Sequence, residues 1–99
     1  MRAFFISDLH LDERDAATQA RFEAFMRDDA PGAARLYVLG DLLHVWLGDA
    51  LLARDAYASD VCARFRQLAA GGTRVFIARG NRDFMIGETF ARACSAELL

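Results

Sequence analysis

Two cysteines and a single proline in 99 residues exclude a fold stapled by disulfides or broken up by proline-rich linkers. Cys62 and Cys94 lie far apart, each inside a helical pattern, and read as packed free thiols of the kind a reducing cytoplasm maintains. No apolar run approaches the roughly 20 residues that cross a bilayer. A signal peptide is not expected, because the short strand-like run after Arg2 has no cleavage site and is interrupted by Asp8. The expectation is a soluble protein, or one that rests on a membrane without crossing it. Basic clusters are missing as well, and a net charge of −2 weighs against a surface that binds nucleic acid by neutralising phosphates. Internal repeats, low-complexity stretches and linkers are not visible.

What remains is the composition of a globular chain, 55% hydrophobic and 26% charged, with length for one domain at most. The pattern alternates strand and helix. Phe4-Phe5-Ile6 is an apolar run that stops at Ser7-Asp8-Leu9-His10. Asp15 can cap a helix reaching to about Asp28, whose apolar face is Phe22, Phe25 and Met26; Ala30-Pro31-Gly32 ends it. Leu36 to Leu39 form a second run that ends in Gly40-Asp41, followed by an unusually apolar loop with Leu43, Val45, Trp46 and Leu47. A helix from about Arg54 to Ala70 carries the stripe Tyr57, Val61, Phe65 and Leu68 and stops at Gly71-Gly72. Val75 to Ala78 form a third run, ending in Arg79-Gly80-Asn81-Arg82-Asp83, and a third helix begins near Gly87 or Glu88. Glu97-Leu98-Leu99 read as a strand just starting.

This order predicts an α/β fold, a βαβαβα unit with parallel strands whose carboxyl ends share one edge, where open α/β sheets bind ligands. The chemistry gathers at that edge. Asp8 and His10, two apart on an extended backbone, would point to the same side and grip one ion. Taken singly, each donor has an ordinary explanation: Asp8 as the cap of the next helix, Asp41 and Asn81 as turn residues after glycine. Three successive strand ends that all carry oxygen or imidazole donors are harder to obtain from turn chemistry. Oxygens with one imidazole suit Mn²⁺, Mg²⁺ or Fe²⁺, whereas structural zinc favours thiolates. A carboxylate such as Asp41 can hold two ions about 3.5–4 Å apart, the arrangement that serves phosphoester hydrolysis. Gly40 and Gly80, lacking Cβ, let the backbone turn tightly beside them.

Asp8-Leu9-His10, Gly40-Asp41 and Gly80-Asn81, in that order and each after a strand, resemble the calcineurin-like metallophosphoesterases. The resemblance implies two divalent metal ions, most simply Mn²⁺, with Asp8 and His10 on the first, Asp41 bridging and Asn81 on the second. His44 stands where the family usually has a second Asp, and Arg82 where most members have a His that protonates the leaving group. Arginine stays charged and cannot transfer that proton, but its fork can clamp a phosphate. With Trp46-Leu47-Gly48-Asp49 and Gly80-Asn81-Arg82-Asp83-Phe84, the chain is similar over essentially its whole length to the UDP-2,3-diacylglucosamine diphosphatase branch of lipid A synthesis. Ala50 departs from that branch, which often has a second acidic residue there.

The resemblance implies catalytic roles for Asp41, Asn81 and Arg82, with Asn81 and Arg82 also touching a UDP-linked lipid substrate. It implies a cytoplasmic enzyme, peripheral on the inner membrane, with no nucleic acid and no obligate protein partner. His44 reads either as a residue orienting a metal ligand or as a partly exposed loop histidine, and Trp46 either as a wall for acyl chains or as core beneath the metal loops. The family pattern continues with three further metal-binding histidines, whereas no histidine follows His44. Residues 1–99 are therefore expected to be the N-terminal part of a single domain, cut at the start of a fourth strand, and nearly inactive alone. Other phosphodiesterases or nucleases of the superfamily, and a non-catalytic metal-binding module, are the competing readings.

Overall fold

Four short strands run parallel in the order of the sequence: β1 (Ala3–Ile6), β2 (Arg35–Leu39), β3 (Arg74–Ala78) and β4 (Ala96–Leu98). The computed structural model describes residues 2–44, 46, 48–80 and 85–99, with the backbone alone at 50 and 51. Register is set residue by residue, with Phe5 opposite Tyr37, Tyr37 opposite Phe76 and Phe76 opposite Glu97. Helices α1 (Ala16–Ala24), α2 (Ala56–Ala70) and α3 (Glu88–Ala93) make the crossovers.

A sheet that grows in one direction through right-handed crossovers keeps its helices on one face. That face is the core. Leu36, Val38, Val75 and Ile77 point into it and meet Phe22 of α1, Val61, Cys62, Phe65 and Leu68 of α2, and Phe90 of α3, all buried. The alternate residues turn the other way. Phe5, Tyr37 and Phe76 form a stack with ring centroids 4.8 and 4.9 Å apart. Phe5 at the end of this row is 65% exposed, although parallel sheets are ordinarily covered on both faces.

Both longer helices begin on an aspartate cap, the expected one at Asp15 and one at Asp55 that the sequence reading did not name. Asp15 accepts from the Thr18 amide at 3.1 Å and Asp55 from the Ala58 amide at 3.0 Å. The structure corrects two details. The first helix does not continue regularly to Asp28: Phe25–Asp29 widen into a π turn, closed by the Ala30 amide on the Phe25 carbonyl at 2.9 Å. The wider turn buries Met26 while Phe25 meets Phe4 edge-on at 5.4 Å. The second helix starts at Ala56, because Asp49–Arg54 form a 3₁₀ helix of their own. Cys62 and Cys94 are buried free thiols. No helix among the described residues is long and apolar enough to cross a membrane.

Candidate metal centre

β1 ends at Ile6, yet the chain beyond it stays tied to the segment beyond β2. The Asp8 amide donates to the Gly40 carbonyl at 3.1 Å, the His10 amide to Asp41 at 2.9 Å and the Leu11 amide to Leu42 at 2.8 Å. Leu11 and Leu43, both buried, complete this lacing with a parallel bridge. Asp8 and His10 do not lie on extended backbone, as the i, i+2 argument assumed. Asp8, His10 and Asp41 have φ of 55°, 48° and 51°, the left-handed region that Asp and His tolerate better than most residues. Each donor thus sits in a sparsely populated backbone region, and such strain collects at functional sites.

The three side chains converge. Their ligand atoms lie within 4.8 Å of one another, with His10 Nε2 3.9 Å from Asp8 Oδ1 and 3.7 Å from Asp41 Oδ2. Those separations exceed a hydrogen bond. His10 Nε2 is accordingly a buried nitrogen with no hydrogen-bond partner among the described residues, flanked by two carboxylates. A buried polar atom left this way is costly unless something else satisfies it, and a cation between an imidazole nitrogen and two carboxylate oxygens does so. The residues present fit a divalent ion.

The third strand end presses against the same point. A Cβ on Gly80 would fall 2.3 Å from the Asp41 amide nitrogen and from its Oδ1, so only glycine allows this approach. Gly40, at φ 106°, would place a Cβ 3.2 Å from the Gly80 Cα. The two glycines expected to act sterically do so against each other and against Asp41. Asn81 and Arg82, the remaining candidates, lie outside the described residues, as do Val45, Leu47, Asp83 and Phe84.

His44 is half-buried; its amide donates to the Leu11 carbonyl at 2.9 Å and its ring lies 6.4 Å from that of His10. Trp46 takes the core alternative: it is buried, with its ring against Phe90 at 5.2 Å and its indole nitrogen donating to Asp49 Oδ1 at 3.0 Å. Sequence reasoning missed Asp49. Besides Trp46, its carboxylate accepts from the amides of Gly87 at 3.0 Å and Phe90 at 2.8 Å, and so serves as the cap that α3 lacks on its own Gly87. Burial pushes the Asp49 carboxyl up, but the Trp46 indole and the Phe90, Gly87 and Thr89 amides outweigh it and hold the group below its ordinary value. The signal available was the Trp46-to-Asp49 spacing; the partners more than 35 residues on were not visible.

An α/β sheet with an Asp-His-Asp cluster at its carboxyl edge defines a metal-binding domain of the phosphoesterase type. The chain belongs to the calcineurin-like phosphoesterase family, whose profile matches residues 1–98. Similar sequences include the UDP-2,3-diacylglucosamine hydrolases of Azotobacter vinelandii (41% identical over 99 residues, all of this chain and 40% of that protein) and Pseudomonas aeruginosa (44% over 100 residues, all of this chain and 40% of that protein). That of Ralstonia nicotianae is 47% identical over 96 residues, 97% of this chain and 35% of that protein. The chain therefore spans about two fifths of the length of the curated relatives it matches. Among solved structures, nuclease MPE of Pseudomonas putida superimposes with a TM-score of 0.65 at 22% identity, over 99% of this chain and 47% of that one, which shows the fold.

Proposed function

We propose that this chain is the N-terminal part of a single-domain, metal-dependent hydrolase. Its reaction is cleavage of the pyrophosphate bond of UDP-2,3-diacylglucosamine to UMP and 2,3-diacylglucosamine 1-phosphate. The observation that carries the reading is the orphaned His10 Nε2 between Asp8 and Asp41, in a chain 41–47% identical to proteins named for that substrate.

In this reading Asp8 and His10 hold one divalent ion, Asp41 is shared with a second, and Asn81 contributes to the second. Manganese suits this mixed oxygen and imidazole set. When bound, such a pair supplies Lewis acidity toward phosphoryl oxygens and activates water near neutral pH. The protein's own part is placement. The left-handed backbone at Asp8, His10 and Asp41 aims the donors at one point, and Gly80 closes against Asp41. Arg82, always charged, clamps a substrate phosphate and neutralises the charge that develops on it. A substrate carrying acyl chains resides in a membrane, so the enzyme works as a peripheral protein from the cytoplasmic side, without nucleic acid or an obligate protein partner.

The cluster offers three donors among the described His, Cys, Asp and Glu residues, too few for two ions. The 99-residue chain alone is thus expected to release negligible UMP. The test joins it to the segment that follows the matched region in the Pseudomonas aeruginosa relative and measures UMP release with Mn²⁺. Release that disappears with Asp41→Ala supports the reading. A folded, Mn²⁺-loaded fusion that leaves the substrate intact would refute it.

A further inference from the structure

The segments after β2 and β3 meet twice. Near the strands, Gly80 seats on Asp41 with no room for a Cβ. At their far ends they meet through Asp49, which closes the 41–49 segment and accepts from Gly87 and Phe90 beyond the 79–87 segment. Arg79 Nε donates to the Ile86 carbonyl, so the 79–87 segment is also tied across its base, and Ile86 is buried. The Gly87 position leaves little slack, because a Cβ there would stand 3.0 Å from Asp49 Oδ2.

We propose that Asp49 is a positioning residue for the metal centre. Its carboxylate cross-braces the two segments and thereby sets how closely Gly80 bears on Asp41, fixing the orientation of the one carboxylate assigned to both ions. The proposal rests on the metal-site reading above. It needs a carboxylate rather than any small acceptor, since one group must take the indole of Trp46 and the amides of Gly87 and Phe90 together. An amide at this position keeps a single acceptor oxygen and turns two N–H bonds toward donors. Residues that orient a metal ligand through a hydrogen bond typically change affinity by about 10–100-fold when replaced.

The experiment is a titration with Mn²⁺ alone, following free Mn²⁺ by electron paramagnetic resonance, on the fusion used to test the proposed function and on its Asp49→Asn and Trp46→Phe variants. Each is first shown to be folded by circular dichroism at the titration temperature. Asp49→Asn is expected to weaken Mn²⁺ binding by about tenfold or more, and Trp46→Phe, which removes one of the donors, to weaken it less. Should Asp49→Asn fail to fold, Trp46→Phe and Gly87→Ala, which crowds the same carboxylate, carry the test with the same expected direction. A purely structural role would lower the melting temperature and leave Mn²⁺ affinity unchanged in the folded variants; that result overturns the proposal while leaving the metal site in place. Absence of Mn²⁺ binding by the unsubstituted fusion overturns the metal-site reading itself, and this proposal with it.

Discussion

Gly80 lies against Asp41 so closely that a methyl group on it would sit 2.3 Å from both the Asp41 amide nitrogen and its Oδ1. The overlapping atoms include backbone, which cannot swing aside. Gly80→Ala is therefore expected to destabilise the fold by about 2–3 kcal/mol and to abolish Mn²⁺ binding by displacing Asp41. Gly71→Ala is the control: its nearest neighbour to a Cβ is the Leu68 carbonyl at 3.4 Å and its φ is −82°. Urea unfolding of the two variants, with equal loss in both, would show that the Gly80 contact carries no special weight.

Binding to the folded state should register as stability. At a Mn²⁺ concentration about 100 times its dissociation constant, the chain gains about 2.7 kcal/mol. For a domain of this size that raises the melting temperature by about 10 °C or more. Asp8→Asn keeps a residue that tolerates φ of 55° while removing the charge, and should cancel most of the rise. Calorimetry with and without Mn²⁺ measures both; a Mn²⁺-induced rise undiminished in Asp8→Asn would place the ion elsewhere.

Two partly buried groups contribute to the pH-dependent edges of the stability curve. Asp49 titrates below its ordinary value in the folded chain, so its contribution is fully present above about pH 4 and fades as pH falls through the lower folded value. Asp49→Asn should flatten the acid limb of melting temperature against pH. At the other end, burial and then the negative charges of Asp12, Glu13, Glu23 and Asp15 push the Tyr57 hydroxyl up to about 12 from an ordinary 10.0. The folded state holds that proton more tightly than the unfolded state, so stability falls as pH rises from 10 toward 12. Tyr57→Phe gives up the hydrogen bond to Gln19 and should be less stable at pH 8, yet lose less than the parent above pH 10. A parent and variant with parallel alkaline limbs would assign that edge to another group.

Much of this fold could be read from Phe4 to Ala78 without coordinates. The apolar runs at Leu36–Leu39 and Val75–Ala78 became strands because a buried parallel strand needs little beyond continuous apolar side chains. Asp15 opens a helix as read, because capping is local chemistry. The convergence of Asp8, His10 and Asp41 was legible for a related reason, since parallel strands in sequence order bring their ends to one edge. Left-handed backbone at these three residues was not, because it follows from the lacing of residues 8–11 onto 40–42. Nor was the π turn at Phe25–Asp29, where packing of Phe25 and Met26 prevails over helical regularity. Asp49 was hidden most completely, its role depending on amides contributed by a helix almost 40 residues away.

The stack of Phe5, Tyr37 and Phe76 has a practical bearing on handling the molecule. Three flat rings side by side, the outermost 65% exposed, form a strip that water wets poorly. Solutions of the isolated polypeptide should scatter light as concentration rises and brighten environment-sensitive fluorophores even when every helix is intact. Phe5→Lys, at the rim of that strip, should curb both effects and make a tractable reagent for the titrations above.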